Sequence, residues 1–232
     1  MSRLILALGS AAVAAALVTV PATGAGAGST EGCVAQATMP ARVALGPTPV
    51  DLHITLTATP ACTGVQTDNG GSATLVGPGG TTTNYPLRWY HLGAQDTAGF
   101  YPGLTQLGTY RITHGNLQTY DAEYLHIPYT WTPTATTVKY AGRFAGVSRS
   151  GRTVTATLQY FANSEWRAHR GIEVALQRQA SGSTTWTTVA TTHSSSSGAV
   201  SFRLGSGHYR LLSATSTWVW SVPRVVSSPT AA

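Results

Sequence analysis

Gly207-His208-Tyr209-Arg210-Leu211 reads as a glycine turn running into the start of a strand, and Gly108-Thr109-Tyr110-Arg111-Ile112 repeats that pattern. The two tyrosines lie 99 residues apart, close to the roughly 100 residues of one two-sheet sandwich. After each glycine, apolar and polar residues alternate, the period of a strand with one face buried. The spacing predicts two sandwiches in tandem, each with a tyrosine at the corner where its penultimate strand begins.

Working outward from Tyr209, the alternation is regular. Val154, Ala156, Leu158 and Tyr160 alternate with Thr153, Thr155, Thr157 and Gln159; Ile172, Val174 and Leu176 alternate with Glu173, Ala175 and Gln177. Val200, Phe202 and Leu204 follow the same rule, and Gly151-Arg152, Ser181-Gly182-Ser183 and the 194–198 run supply the turns. This half has no cysteine, so Trp166, Trp186, Trp218 and Trp220 are expected as its large buried side chains.

Around Tyr110 the two cysteines carry the most information. A hairpin turning at Gly46-Pro47-Thr48-Pro49 sets Leu45 against Val50, Val43 against Leu52, Ala41 against Ile54, Met39 against Leu56, Ala37 against Ala58, and Cys33 against Cys62. All of these share one face by parity, whereas Gln36, Thr38, Arg42, Asp51, His53, Thr55 and Thr57 fall on the other. A Cys33–Cys62 disulfide is expected. Pro40 cannot donate to a ladder, so the first strand is expected to kink there, with room for a sheet change, a shifted lower register and a diagonal disulfide. Further strands are expected at 72–76, 87–92, 120–124 and 127–131. The 131–137 stretch, with Pro133, is too short for a free tether and is expected to join the two domains closely.

Met1 to Arg3, an apolar run from Leu4 to Val20, and Ala25-Gly26-Ala27 together read as a secretory signal peptide. Cleavage is expected after Ala27, with Ala25 second, leaving 205 of 232 residues and no membrane span in the mature chain. The expected division is 1–27 signal peptide, 28–132 first domain, 137–226 second domain and 227–232 flexible tail. Charge divides with it: residues 28–136 hold three arginines against six acids, whereas 137–232 hold ten basic residues against Glu165 and Glu173.

The ordered series Trp166, Gly171-Ile172-Glu173-Val174-Ala175-Leu176, Trp186, Gly198 and Gly207-His208-Tyr209-Arg210 resembles the immunoglobulin-like β-sandwich repeat of secreted actinobacterial proteins. Thirteen arginines against one lysine fit a GC-rich genome of that kind. The first half shares Ala98-Gly99 and Gly108-Thr109-Tyr110-Arg111 but not the tryptophan pattern. The resemblance implies an all-β fold of two tandem immunoglobulin-like antiparallel β-sandwich domains after a cleaved signal peptide. It also implies a spacer or binding role, with no catalytic residues to carry over.

Motifs for chemistry are sparse. The chain has no Gly-x-Ser-x-Gly elbow, no His-Glu-x-x-His helix and no phosphate-binding glycine loop. Asp121 and Glu123 read as an exposed polar face, and the seven histidines sit at no metal spacing. No catalytic residue, cofactor or metal is expected. Two surfaces stand out: Arg149, Arg152, Arg167 and Arg170 as a polyanion-binding face, and Tyr85, Tyr90 and Tyr101 as a carbohydrate face. The partner expected is an anionic cell-wall polymer or another envelope protein, not nucleic acid, for a secreted protein held at the wall non-covalently if at all.

Overall fold

The computed structural model describes residues 32–62, 70–80 and 84–226. The expected signal peptide, its cleavage point and the 227–232 tail lie outside those residues. The first ten strands are β1 (Cys33–Thr38), β2 (Arg42–Leu45), β3 (Val50–Ala58), β4 (Gly71–Val76), β5 (Asn84–Trp89), β6 (Gln95–Phe100), β7 (Gly108–Ile112), β8 (Gly115–Leu117), β9 (Tyr129–Thr132) and β10 (Thr134–Tyr140). Eight more follow: β11 (Gly142–Ser150), β12 (Thr153–Ala162), β13 (Glu165–Ala168), β14 (Glu173–Gln179), β15 (Trp186–His193), β16 (Ala199–Arg203), β17 (His208–Ser213) and β18 (Pro223–Val226). They form four sheets around two hydrophobic clusters. Strand order is β6-β3-β1-β9 facing β2-β10-β7-β4-β5, with β8 beside β4. In the second set, β12 lies between β11 and β13/β16, facing β15-β14-β17-β18. The fold is all-β and immunoglobulin-like in plan.

Two prolines shape the first sheet pair. Around Pro40 the first strand breaks: β1 pairs with β3, and β2 crosses to the opposite sheet beside β10. Around Pro133 the last strand breaks in the same way, β9 lying beside β1 and β10 beside β2 and β7. A missing N–H ends a ladder, and the chain takes up a new one in the other sheet. Both edge pairings, β1 with β9 and β2 with β10, are parallel; the other named strand pairs are antiparallel. The 131–137 stretch expected as a join is therefore largely strand, and β10 runs on to Tyr140.

The hairpin expectation holds in parity except at Ala41, which is exposed beside Pro40, and fails in register. Cys33, Ala35, Ala37, Val43, Leu45, Leu52, Ile54 and Leu56 are all buried, while Thr38, Arg42, Asp51 and His53 are exposed. Ala37 faces Leu56 rather than Ala58, a shift of two residues. Leu45, Val43 and Ala41 do not face Val50, Leu52 and Ile54, because β2 has left for the other sheet. A shift of two keeps every side chain on its face, so burial does not resist it. The Cys33–Cys62 disulfide closes diagonally onto the 3-10 turn Pro60–Cys62.

In the first core Tyr85, Phe100 and Tyr110 pack ring to ring, with Phe100 and Tyr110 edge-on at 5.0 Å. The Trp89 indole N–H donates to the Ile54 carbonyl at 2.9 Å and so ties β5 to β3 across the sandwich. The second core is Phe144, Phe202 and Tyr209 among aliphatic residues from β12, β14, β16 and β17. The four tryptophans expected there lie elsewhere: Trp166, Trp186 and Trp220 are half-buried and Trp218 is exposed. Cations cover three of them instead: Arg143 over Trp166 at 4.0 Å, Arg210 over Trp186 at 4.6 Å, and Arg42 and Lys139 over Trp220 at 4.8 Å each. An indole on a sheet face keeps its N–H reachable and its ring available to a cation. The strand expected at 120–124 is a turn closed by a Tyr120–His126 bridge, with the Asp121 carboxylate accepting the Glu123 and Leu125 backbone N–H groups.

Both corner tyrosines are buried, and each hydroxyl donates back to the chain: Tyr110 to the Gln106 carbonyl at 2.9 Å, Tyr209 to the Ser206 carbonyl at 3.4 Å. The glycine before each corner has positive φ, 133° at Gly108 and 130° at Gly207. At Gly108 a Cβ would also sit 2.7 Å from Pro78 Cγ.

Three outcomes are expected in urea denaturation. Gly108→Ala costs about 1–3 kcal/mol, since strained backbone and a clash combine. Tyr110→Phe costs about 1 kcal/mol, and Tyr209→Phe, losing a longer bond, costs less. Replacing Cys33 and Cys62 together by serine lowers stability by about 3–4 kcal/mol on the chain-entropy account of a loop with separation 29; an unchanged midpoint would rule that account out.

Candidate functional site

The chain crosses from one sheet pair to the other in a single residue. Tyr140 ends β10, Gly142 begins β11, and Ala141 between them donates its N–H to the Leu45 carbonyl and accepts that of Phe161. The 214–222 segment folds back over this crossing. Tyr140 donates to the Trp218 carbonyl at 2.8 Å and accepts from the Trp220 N–H at 3.3 Å, forming a parallel bridge with Val219. The Trp220 indole N–H reaches the Val43 carbonyl at 2.8 Å, and the Lys139 ammonium reaches the Ser216 carbonyl at 2.6 Å. Gly142 makes the close fit possible, since a Cβ there would lie 2.6 Å from Val222 Cγ2.

The crossing leaves a cleft of about 240 Å³, lined by Tyr140, Tyr160, His169, Arg170 and Trp218 over the buried Val219. The Tyr140 and Tyr160 rings lie 5.9 Å apart and the Tyr160 and His169 rings 5.2 Å apart. Trp218 is 59 % exposed, a large apolar ring offered to solvent at the cleft mouth. His169 is half-buried, and burial lowers its pKa, which favours the neutral ring. Its Nδ1 is shielded from solvent and has no hydrogen-bond partner among the described residues. Arg170 is exposed beside it.

Buried Ser194 holds that turn in place. Its hydroxyl donates to the His169 carbonyl at 2.6 Å and accepts the Ile172 N–H at 3.0 Å, while Gly171 at φ 69° donates to the Ser194 carbonyl. The cleft therefore combines three aromatic faces, a neutral imidazole nitrogen and a guanidinium. Such a lining can stack on a ring, exchange a hydrogen bond and pair with an anion.

The residues expected to form surfaces are dispersed. Arg149 and Arg152 flank the β11–β12 turn, whereas Arg167 pairs across from Tyr160 at the far end of β12, about 20 Å along the strand at roughly 3.3 Å per residue. Arg149 donates to the Gly151 carbonyl at 2.8 Å, and Arg167 is ion-paired with Glu165 at 2.7 Å. Only Arg170 of the four lines the cleft. Tyr85 is half-buried, its ring packed against Phe100 and Tyr110 at the edge of the first core. Tyr101 follows β6 near that end, and Tyr90, 84 % exposed, follows β5 at the opposite end. The cleft's own aromatics escaped the sequence reading. Tyr160 closes an alternating strand, Tyr140 falls just beyond the expected join, and Trp218 looks like core. Tyr140 ends β10, Tyr160 lies near the end of β12 and Trp218 sits between β17 and β18, and no spacing in the sequence links the three.

Among the described residues no group of three or more His, Cys, Asp or Glu could hold one metal ion. No helix among them is long and apolar enough to cross a membrane.

No family model matches this chain, and no curated protein does. Among solved structures, native alpha-2-macroglobulin from Escherichia coli spanning domains MG0-NIE-MG1 is similar at 12% identity and a TM-score of 0.32, over 85% of this chain and 65% of that one. The NIE-MG1 fragment of the same protein gives 13% and 0.31, over 84% of this chain and 97% of that one. A tetra-tandem repeat from the extending region of a large adhesion protein gives 12% and 0.24, over 84% of this chain and 48% of that one. Scores this low assign neither family nor function.

Proposed function

We propose that this protein is a secreted, non-enzymatic, immunoglobulin-like protein of two domains that serves as a binding and spacer module at or near the cell envelope. The observation that carries the reading is the bonded crossing at Ala141. Backbone pairing of Tyr140 with 218–220 and the Trp220 peg into Val43 support a fixed two-domain unit with a recognition cleft at its joint. The disulfide supports an oxidising compartment, and the apolar 4–20 run with Ala25-Gly26-Ala27 supports export. The excess of arginine in 137–232 supports retention on an anionic wall polymer without a covalent anchor.

Fractionating the producing culture into medium, wall and membrane tests this. The wall fraction is expected to hold the protein and to release it in high salt, because surface ion pairing is screened. Its intact mass should fit a chain beginning at Gly28, or at Gly26 if cleavage follows Ala25. Protein found wholly in the medium would count against retention, and an uncleaved mass against export.

A further inference from the structure

We propose that the junction cleft binds one acidic sugar residue, a hexuronate ring, stacked on Trp218 with its carboxylate paired to Arg170. This deepens the binding-module reading by naming the ligand class of the same cleft, and it rests on that reading.

Size comes first. At about 240 Å³ the cleft is smaller than the roughly 300–1,000 Å³ of sites for drug-sized ligands, so it suits a single ring. Shape comes next. The flat apolar faces of Tyr140, Tyr160 and the exposed Trp218 match the C–H face of a pyranose, and a bare phosphate would leave them uncovered. Charge decides between sugars. No acidic residue lines the cleft, and Arg170 forms no hydrogen bond or ion pair with the described residues, in contrast to Arg167 beside it on Glu165. A neutral sugar leaves that guanidinium unanswered, whereas a uronate carboxylate meets its planar fork.

The test is an NMR titration of the whole mature protein with sodium glucuronate, glucose or acetate, read at the Trp218 indole N–H assigned by comparison with Trp218→Ala. Glucuronate should shift that signal to saturation in the millimolar range, with glucose and acetate each about tenfold weaker or more, the scale of about 1.4 kcal/mol for one charge-assisted contact. Arg170→Gln should bring glucuronate down to the glucose level, and Trp218→Ala should remove saturable binding as judged by calorimetry. Arg167→Gln should change nothing. Both cleft side chains are exposed, so the variants should keep the wild-type circular dichroism and melting curve.

No saturation at about 50 mM glucuronate, equal affinity for glucose, equal affinity for acetate, or unchanged affinity in Arg170→Gln would each overturn the proposal. The two readings fail separately. Salt-released wall protein with no glucuronate binding keeps the envelope role and removes this ligand, whereas glucuronate binding by protein found only in the medium does the reverse.

Discussion

The parallel seam between the first and last strands of the N-terminal sheet pair is the constraint on which the rest depends. Cys33 to Leu45 and Tyr129 to Tyr140 run side by side in the same direction, and both change sheets where a proline interrupts the ladder. Each sheet thereby gains one piece of both strands, and the sandwich closes along its open side. The seam also carries Tyr140 past the end of β7 while it stays paired with Leu45, and there Ala141 can hand the chain to β11. Without that overshoot the 214–222 segment would have no edge to pair with, and the cleft no floor.

Surface charge is handled by aromatic rings as much as by acids. Among the described residues Arg167–Glu165 is the one ion pair, while four cations sit over three indoles. With ten basic residues against two acids after residue 136, opposite charges are too few to pair with them. A ring face attracts a cation without neutralising it. The C-terminal half therefore keeps its positive field while its long side chains are held against the sheets, which suits recognition of an anion more than a mobile fringe would.

How much of this could be read in advance follows from the physics of each feature. Parity was legible, because a buried face must be apolar at every second residue, and the cysteines, the β12 alternation and the corner tyrosines all obey it. Register was not, because a shift of two costs nothing in parity. Its value came from Pro40 sending β2 away from β3. The tryptophans misled for a related reason: bulk suggests burial, but composition does not reveal the cations that cover them. Arg143 and Arg210 reach them from two strands away, and Arg42 and Lys139 from the other sheet pair. The cleft was hidden most completely. Tyr140, Tyr160, His169 and Trp218 come from separate segments, and only the one-residue crossing brings them together. Arg170 was visible as a basic surface residue, but Arg149, Arg152 and Arg167, grouped with it by sequence, line no part of the cleft.

The seam has a mechanical side. Tension along the chain enters β1 at Cys33 and leaves β10 at Tyr140, pulling neighbouring parallel strands in opposite directions along their length. The bonds of both seams then carry load together, in shear, instead of opening one at a time from an end. The Cys33–Cys62 bond fastens the loaded end of β1 to the turn after β3. At the other end, the Trp220 peg in Val43 and the Lys139 bond to Ser216 spread tension from β10 into the second sheet pair. A link of this build stretches little until it fails, and it would hold the cleft's shape while the chain is under load.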